Sequence, residues 1–212
     1  MLKFKEQPIN PANPDTIPKF IDQLIKPPTA ISRVNKNYTG TYYEIKMMKA
    51  KHQFHRNFPY SEVWGYDGIV PGPTIEAKKD YTTYVKYLNK LPEKHFLPID
   101  FSLHVANNSP EVRTVVHLHG ANVDSASDGH PEAWYTKDYA ATGPTFKREV
   151  HAYTNHQPGT TMWYHDHSMG LTRLNVCAGL AGFYLLRDSL EERLNLPKGK
   201  YEIPLMIQDK TF

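Results

Sequence analysis

The sequence predicts an all-β protein, a sandwich or barrel built from short strands. Two observations carry that expectation. Runs rich in Tyr, Val, Ile and Thr recur along the chain, separated by clusters of Gly, Pro, Asp and Asn, the punctuation of strands joined by turns. Only one stretch, 189–197, carries helix signals, with Asp188 or Ser189 as cap and Pro197 as stop. At 212 residues and 40% hydrophobic content, the chain is long enough to bury a core without staples.

Residues 1–34 read as an irregular arm broken by Pro8, Pro11, Pro14 and Pro18, with a short helical turn at 20–24. Strand texture begins at Tyr38. In 41–55, alternation places Tyr43, Ile45 and Met47 on one face. The segment 80–89 alternates Tyr81, Tyr84, Lys86 and Leu88 less cleanly but is rich in strand formers. Segments 112–119, 161–167, 178–188 and 201–209 complete the predicted strands. Stretches 66–74, 88–100, 123–134 and 154–160 read as turns and connections. The domain division that follows is an arm at 1–34, a β-rich domain at 35–190, and at 191–212 a linker helix with the first strand of a truncated second domain. No internal repeat is present.

Composition removes several function classes. The formal charge is +3, from 25 Lys+Arg against 22 Asp+Glu. Without basic clusters, that gives no footprint for nucleic acid. No apolar run approaches the roughly 18 residues of a membrane span. The proline-broken start lacks the apolar stretch of a signal peptide, so cytoplasmic synthesis is the expectation. A single cysteine, Cys177, excludes an intramolecular disulfide and any zinc finger of paired cysteines.

Eleven histidines remain to be explained, because imidazole is the commonest protein metal ligand. Four fall in two pairs, His117-Leu118-His119-Gly120 and His165-Asp166-His167 after Trp163-Tyr164. Residues i and i+2 of a strand share a face, so each pair projects two imidazoles roughly 7 Å apart. If the two strands are neighbours, four ring nitrogens converge. An all-imidazole donor set suits copper, zinc, iron or nickel, with divalent copper bound most tightly. Two such pairs suit more than one ion, with positions left open for a small ligand. Asp166 points away from its flanking histidines, either to solvent or to a role supporting them. His52, His55, His95, His104, His130, His151 and His156 are scattered and read as surface or packing residues.

The motifs HLHG (117–120) and WYHDH (163–167) resemble the two N-terminal copper motifs of multicopper oxidases. VWGYDGIVPGPTIE (63–76), NKLPEKHFLPID (89–100), SDGHPEAW (127–134), TGPTFKREV (142–150) and LTRLNVCAGLAGFYLLRD (171–188) narrow the likeness to bacterial spore-coat laccases and bilirubin oxidases. It covers residues 38–212. The resemblance implies a cupredoxin-like Greek-key β-barrel or sandwich. It also implies an enzyme that oxidises phenolic or bilirubin-like reductants while reducing O2 to water, located in a spore coat.

It further implies that His117 binds a type 2 copper, that His119, His165 and His167 bind a type 3 copper pair, and that Asp128 is a catalytic group assisting proton delivery. On composition alone Asp128 is equally a turn residue before Gly129. The family's His-Cys-His motif, which serves the type 1 copper, is absent, and Cys177, flanked by small and apolar residues, is expected as a buried structural thiol. The chain therefore reads as the first third of such an enzyme plus one strand, without the C-terminal domains, and inactive alone. Two other readings stand beside it: a non-catalytic copper-binding fragment or assembly half, and a zinc hydrolase using Asp166 as base.

Overall fold

The structure, a computed structural model, describes residues 12–103 and 109–210. It consists of two four-stranded mixed sheets facing each other. In the first sheet β1 (Thr41–His52) lies between β2 (Ser61–Tyr66), antiparallel, and β4 (Thr83–Asn89), parallel. β6 (Val150–Tyr153) runs antiparallel beside β4. In the second, β3 (Gly72–Lys78) pairs in parallel with β8 (Ala181–Arg187). β7 (Thr160–Asp166) follows, antiparallel to β8, and β5 (Val116–His119) forms the edge. Pairing strands far apart in sequence, β1 with β4 and β3 with β8, is the crossed connectivity expected of a Greek-key, cupredoxin-like sandwich.

Alternation decides which face of each strand is buried. Tyr43, Ile45 and Met47 of β1 sink into one core with Val85 and Tyr87 of β4 and with Ile75, Leu118, Tyr164 and Tyr184 from the facing sheet. On β4 the buried face is Thr83, Val85, Tyr87 and Asn89, so the Tyr84, Lys86 and Leu88 face of the sequence pattern is the outer one. Tyr164 fixes the approach of the neighbouring strands. Its hydroxyl donates to the Pro73 carbonyl at 2.6 Å, and a Cβ at position 182 would overlap its ring, so β8 needs Gly182 there.

Four predicted elements differ. The run 178–188 is not all strand. Its first residue ends a helix, α1 (Thr172–Ala178), that the sequence did not announce. Leu171, Leu174, Asn175 and Ala178 are buried at helical spacing, and a helix this short is held by that contact rather than by propensity. Cys177 falls between the buried positions and is exposed, which overturns the expectation of a buried thiol. Strands β2 and β3 lie on both sides of a turn shorter than the predicted 66–74 connection, and β6 was not foreseen.

The segment 201–209, predicted as a strand, carries no ladder pairing. Among the described residues no strand pairs with it, its Glu202 carboxylate meets Arg187 at the end of β8, and Leu205 and Ile207 are exposed. The helix before it forms as expected, as α2 (Ser189–Arg193), with the Asp188 carboxylate accepting from the Glu191 N–H.

In the arm, the turn predicted at 20–24 is absent because Phe20 adopts φ 60°, outside helical space. A short 3₁₀ turn at Pro14–Thr16 stands earlier. The arm is laid against the sheets: Ala30 N–H donates to Thr74 O at 2.8 Å, and Arg33 N–H to Tyr42 O at 2.8 Å. Residues 1–11, which contain Pro8 and Pro11, lie outside the described part, as does His104. Among the described residues no helix is long and apolar enough to cross a membrane.

Candidate metal centre

The site lies on the β5–β7 ladder. β5 buries Val116 and Leu118 and turns His117 and His119 outward, while β7 buries Met162 and Tyr164 and turns Trp163 to the other face. The register pairs His117 with His165 and His119 with Trp163. Both histidine pairs therefore share one face, and His167 follows just past the end of β7. Ring centroids are 5.4 Å apart for His117–His119, 5.6 Å for His117–His165 and 4.8 Å for His117–His167. One nitrogen from each of His117, His119 and His165 lies within 4.8 Å of the others. His167 is outside that triple but stacks on His117 at 25° between planes.

Backbone carbonyls hold three of the four rings. His117 donates Nδ1–H to Asp128 O at 2.5 Å, His165 to Asp166 O at 2.8 Å, and His167 to Gly129 O at 3.1 Å. A proton on Nδ1 leaves the lone pair on Nε2 of each of these rings. His119 instead brings its Nδ1 to 3.3 Å from His165 Nε2. Burial, reinforced by the neighbouring imidazoles, pushes His165 down to about 4, and burial also lowers His117. These rings stay neutral near pH 7, with the lone pairs a metal needs. A donor set of neutral, carbonyl-anchored imidazoles converging from two strands fits copper, a borderline-soft ion that favours nitrogen.

Asp128 and Gly129 form the turn facing β5. The Asp128 carboxylate is 44% exposed, with an oxygen 3.6 Å from His117 Nδ1. Gly129 has φ +77°, and a Cβ there would overlap the Val116 carbonyl, so the turn that presents both carbonyls needs glycine. Ser127 anchors the same turn, its carbonyl accepting from His151 Nδ1 at 2.9 Å and its hydroxyl from Ala152 N–H at 3.0 Å. This anchor had no signal in the sequence beyond Ser-Asp-Gly. Trp163 had one, in the i, i+2 spacing to His165. Its indole stacks on that imidazole at 3.9 Å and on His119 at 5.4 Å. A groove of about 560 Å³, lined in part by His119, Gln157 and Trp163, opens beside them.

Asp166 is not at the surface. It is fully buried, and alternation sends its carboxylate to the far side of the sheet from His165. Among the described residues, none of His52, His55, His95, His130, His151 and His156 joins the imidazole cluster. His95 and His151 are buried packing residues, and His156 pairs with Asp80 in solvent at 2.8 Å.

Residues 47–100 and 98–191 match the family model described as multicopper oxidase. The laccase of Bacillus stratosphericus is 54% identical over 195 residues, covering 92% of this chain and 38% of the relative. The laccase of Bacillus subtilis (strain 168) is 51% identical over 199 residues, covering 92% and 39%. This chain thus spans under two-fifths of the length of these relatives. The crystal structure of a laccase from Pediococcus acidilactici superposes with a TM-score of 0.65 at 24% identity, over 87% of this chain and 34% of that one, a likeness of fold.

Proposed function

The chain belongs to the multicopper oxidase family, and from that premise we propose that it supplies half the histidines of a three-copper centre in a laccase-type oxidoreductase. In this reading His117 holds the type 2 copper, and His119, His165 and His167 hold the type 3 pair. Bound copper would supply one-electron redox chemistry, coupling oxidation of a phenolic or bilirubin-like reductant to reduction of O2 to water. The observation that carries the reading is the convergence of three imidazole nitrogens within 4.8 Å, two of them on rings, His117 and His165, whose Nδ1 is tied to a backbone carbonyl.

The chain's own groups have defined tasks. The carbonyls of Asp128, Asp166 and Gly129 fix ring tautomer and tilt, the role that outer partners of histidine ligands play generally. Asp128, half exposed and close to His117, would carry protons between solvent and the site. No His-Cys-His segment occurs in this sequence, where Cys177 stands between Val176 and Ala178. The remaining ligands, including those of a type 1 copper, would come from further polypeptide, and the chain by itself would turn over little substrate. The 191–212 segment would then lead toward a second domain.

A zinc hydrolase is disfavoured because Asp166, its candidate base, has its carboxylate bonded to four donors away from the imidazoles. The test is metal analysis of the chain supplied with copper and with zinc, beside His117→Ala and His165→Ala. Copper retained by the wild type and lost by both variants is the expected result. Preferential zinc retention, or copper binding indifferent to both substitutions, overturns the proposal. Substantial O2 consumption by the isolated chain with a phenol would overturn the claim that further ligands are needed.

A further inference from the structure

We propose that Asp166 is a positioning residue of the metal centre, its carboxylate tying together the backbone segments that carry His117, His165 and His167. This rests on the reading of those imidazoles as ligands. Position 166 continues the inward face of β7 after Met162 and Tyr164, where an apolar side chain would serve packing alone. A carboxylate there demands donors, and it has four. Oδ1 accepts from Val115 N–H at 3.1 Å and Ser168 Oγ–H at 3.0 Å. Oδ2 accepts from Ser168 N–H at 3.1 Å and Asn175 Nδ2–H at 2.8 Å.

Three of the four donors belong to residues next to a ligand in the chain or bonded to one. Val115 precedes His117 by two residues, and its carbonyl accepts from His167 N–H at 2.8 Å. Ser168 follows His167 directly. Asn175 reaches from α1, also donating to Arg113 O at 3.2 Å, and its Oδ1 faces His95 Nε2 at 3.1 Å. On the opposite side, the Asp166 carbonyl receives His165 Nδ1–H. One residue thus braces β5, the end of β7 and the turn into α1 from below, while its main chain orients an imidazole above. Sites of this kind need their ligands held within about 0.5 Å, and Asn175, donating to Arg113 O and to Asp166 Oδ2, closes the same network from the helix side.

Asp166→Asn tests the inference, because it keeps the size but turns an amide N–H₂ toward donors. Ser168→Ala removes one donor more gently, and Ile45→Val in β1 controls for stability lost far from the site. Each full-length chain is followed by circular dichroism, by copper titration, and by ¹⁵N-histidine NMR of the metal-free protein, which reads ring tautomers directly.

The expected result is a folded Asp166→Asn chain with copper affinity reduced roughly tenfold or more and Nδ1–H tautomers lost at His117 or His165. Ser168→Ala should fall between it and the wild type, and Ile45→Val should bind as the wild type does. A folded Asp166→Asn with wild-type tautomers and affinity overturns the inference; if that variant does not fold, unchanged tautomers and affinity in Ser168→Ala overturn it. A wild-type chain that binds no copper defeats the metal reading instead, and the tautomers then decide the role of Asp166 alone.

Discussion

His117 and His165 occupy directly opposed positions on adjacent strands, their rings 5.6 Å apart and nearly perpendicular at 81°. In a ladder with a two-residue period, a slip of one position would send one imidazole pair to the core. The register is therefore what brings both imidazole pairs to one face.

Each of the other three imidazoles lies within 5.7 Å of His165, centroid to centroid, as each also does of His117. Replacing His165 with alanine should weaken copper binding by at least about tenfold while leaving the β-sheet circular dichroism spectrum in place. Isothermal titration checks this, and equal affinity would count against His165 as a ligand.

Acid should destabilise the metal-free chain. His165 is held down at about 4 by burial, and burial also lowers His117, His95 and His151. For a base with a depressed folded value, the stabilisation is complete above the unfolded value near 6.5 and is lost as pH falls through the folded one. Asp166 works the other way. Burial raises its carboxyl to about 6, so proton uptake below that pH favours the folded state. Four histidines against one carboxyl give a net loss. Calorimetry in chelator should show the melting temperature dropping between pH 6.5 and 4.5, and more steeply in Asp166→Asn. A flat profile would contradict the burial of these rings.

Gly129→Ala places a methyl group against the Val116 carbonyl at a residue with φ +77°. Such overpacking costs roughly 1–3 kcal/mol. Because the Gly129 carbonyl anchors His167, copper affinity should fall along with stability. Chemical denaturation and copper titration together check both, and a variant as stable as the wild type would refute the close approach of this turn to β5.

Cys177 is exposed. One thiol per chain should react with a disulfide reagent in the native state, without denaturant and without loss of bound copper. Reaction only after unfolding would place the thiol inside.

Much of the site was legible because it depends on short-range periodicity. Two His-x-His pairs on strands could only project as pairs, and the apolar alternation at Tyr43, Ile45 and Met47 marked the core face of β1. The sequence could not show which strands become neighbours, since the β5–β7 and β3–β8 pairings join residues far apart in the chain. It concealed α1 because Leu174-Asn175-Val176-Cys177-Ala178 runs into the apolar strand β8, and no side chain caps the helix start. The misreading of Cys177 followed from the same cause, an apolar run taken as one buried element. Asp166 was hidden by its polarity, which suggests solvent until its four donors are seen.

The order of strands in the second sheet bears on how the site comes into being. β7 is flanked by β5 and β8, and β8 is the last strand of the domain to be synthesised. The 46 residues from His119 to His165 take roughly 2–9 seconds to emerge at 5–20 residues per second. During that interval β5, with His117 and His119, has no neighbour in its sheet to pair with. β7 gains both of its neighbours only once β8 has been made, so the sheet that carries the imidazole face is complete only after translation has passed Arg187.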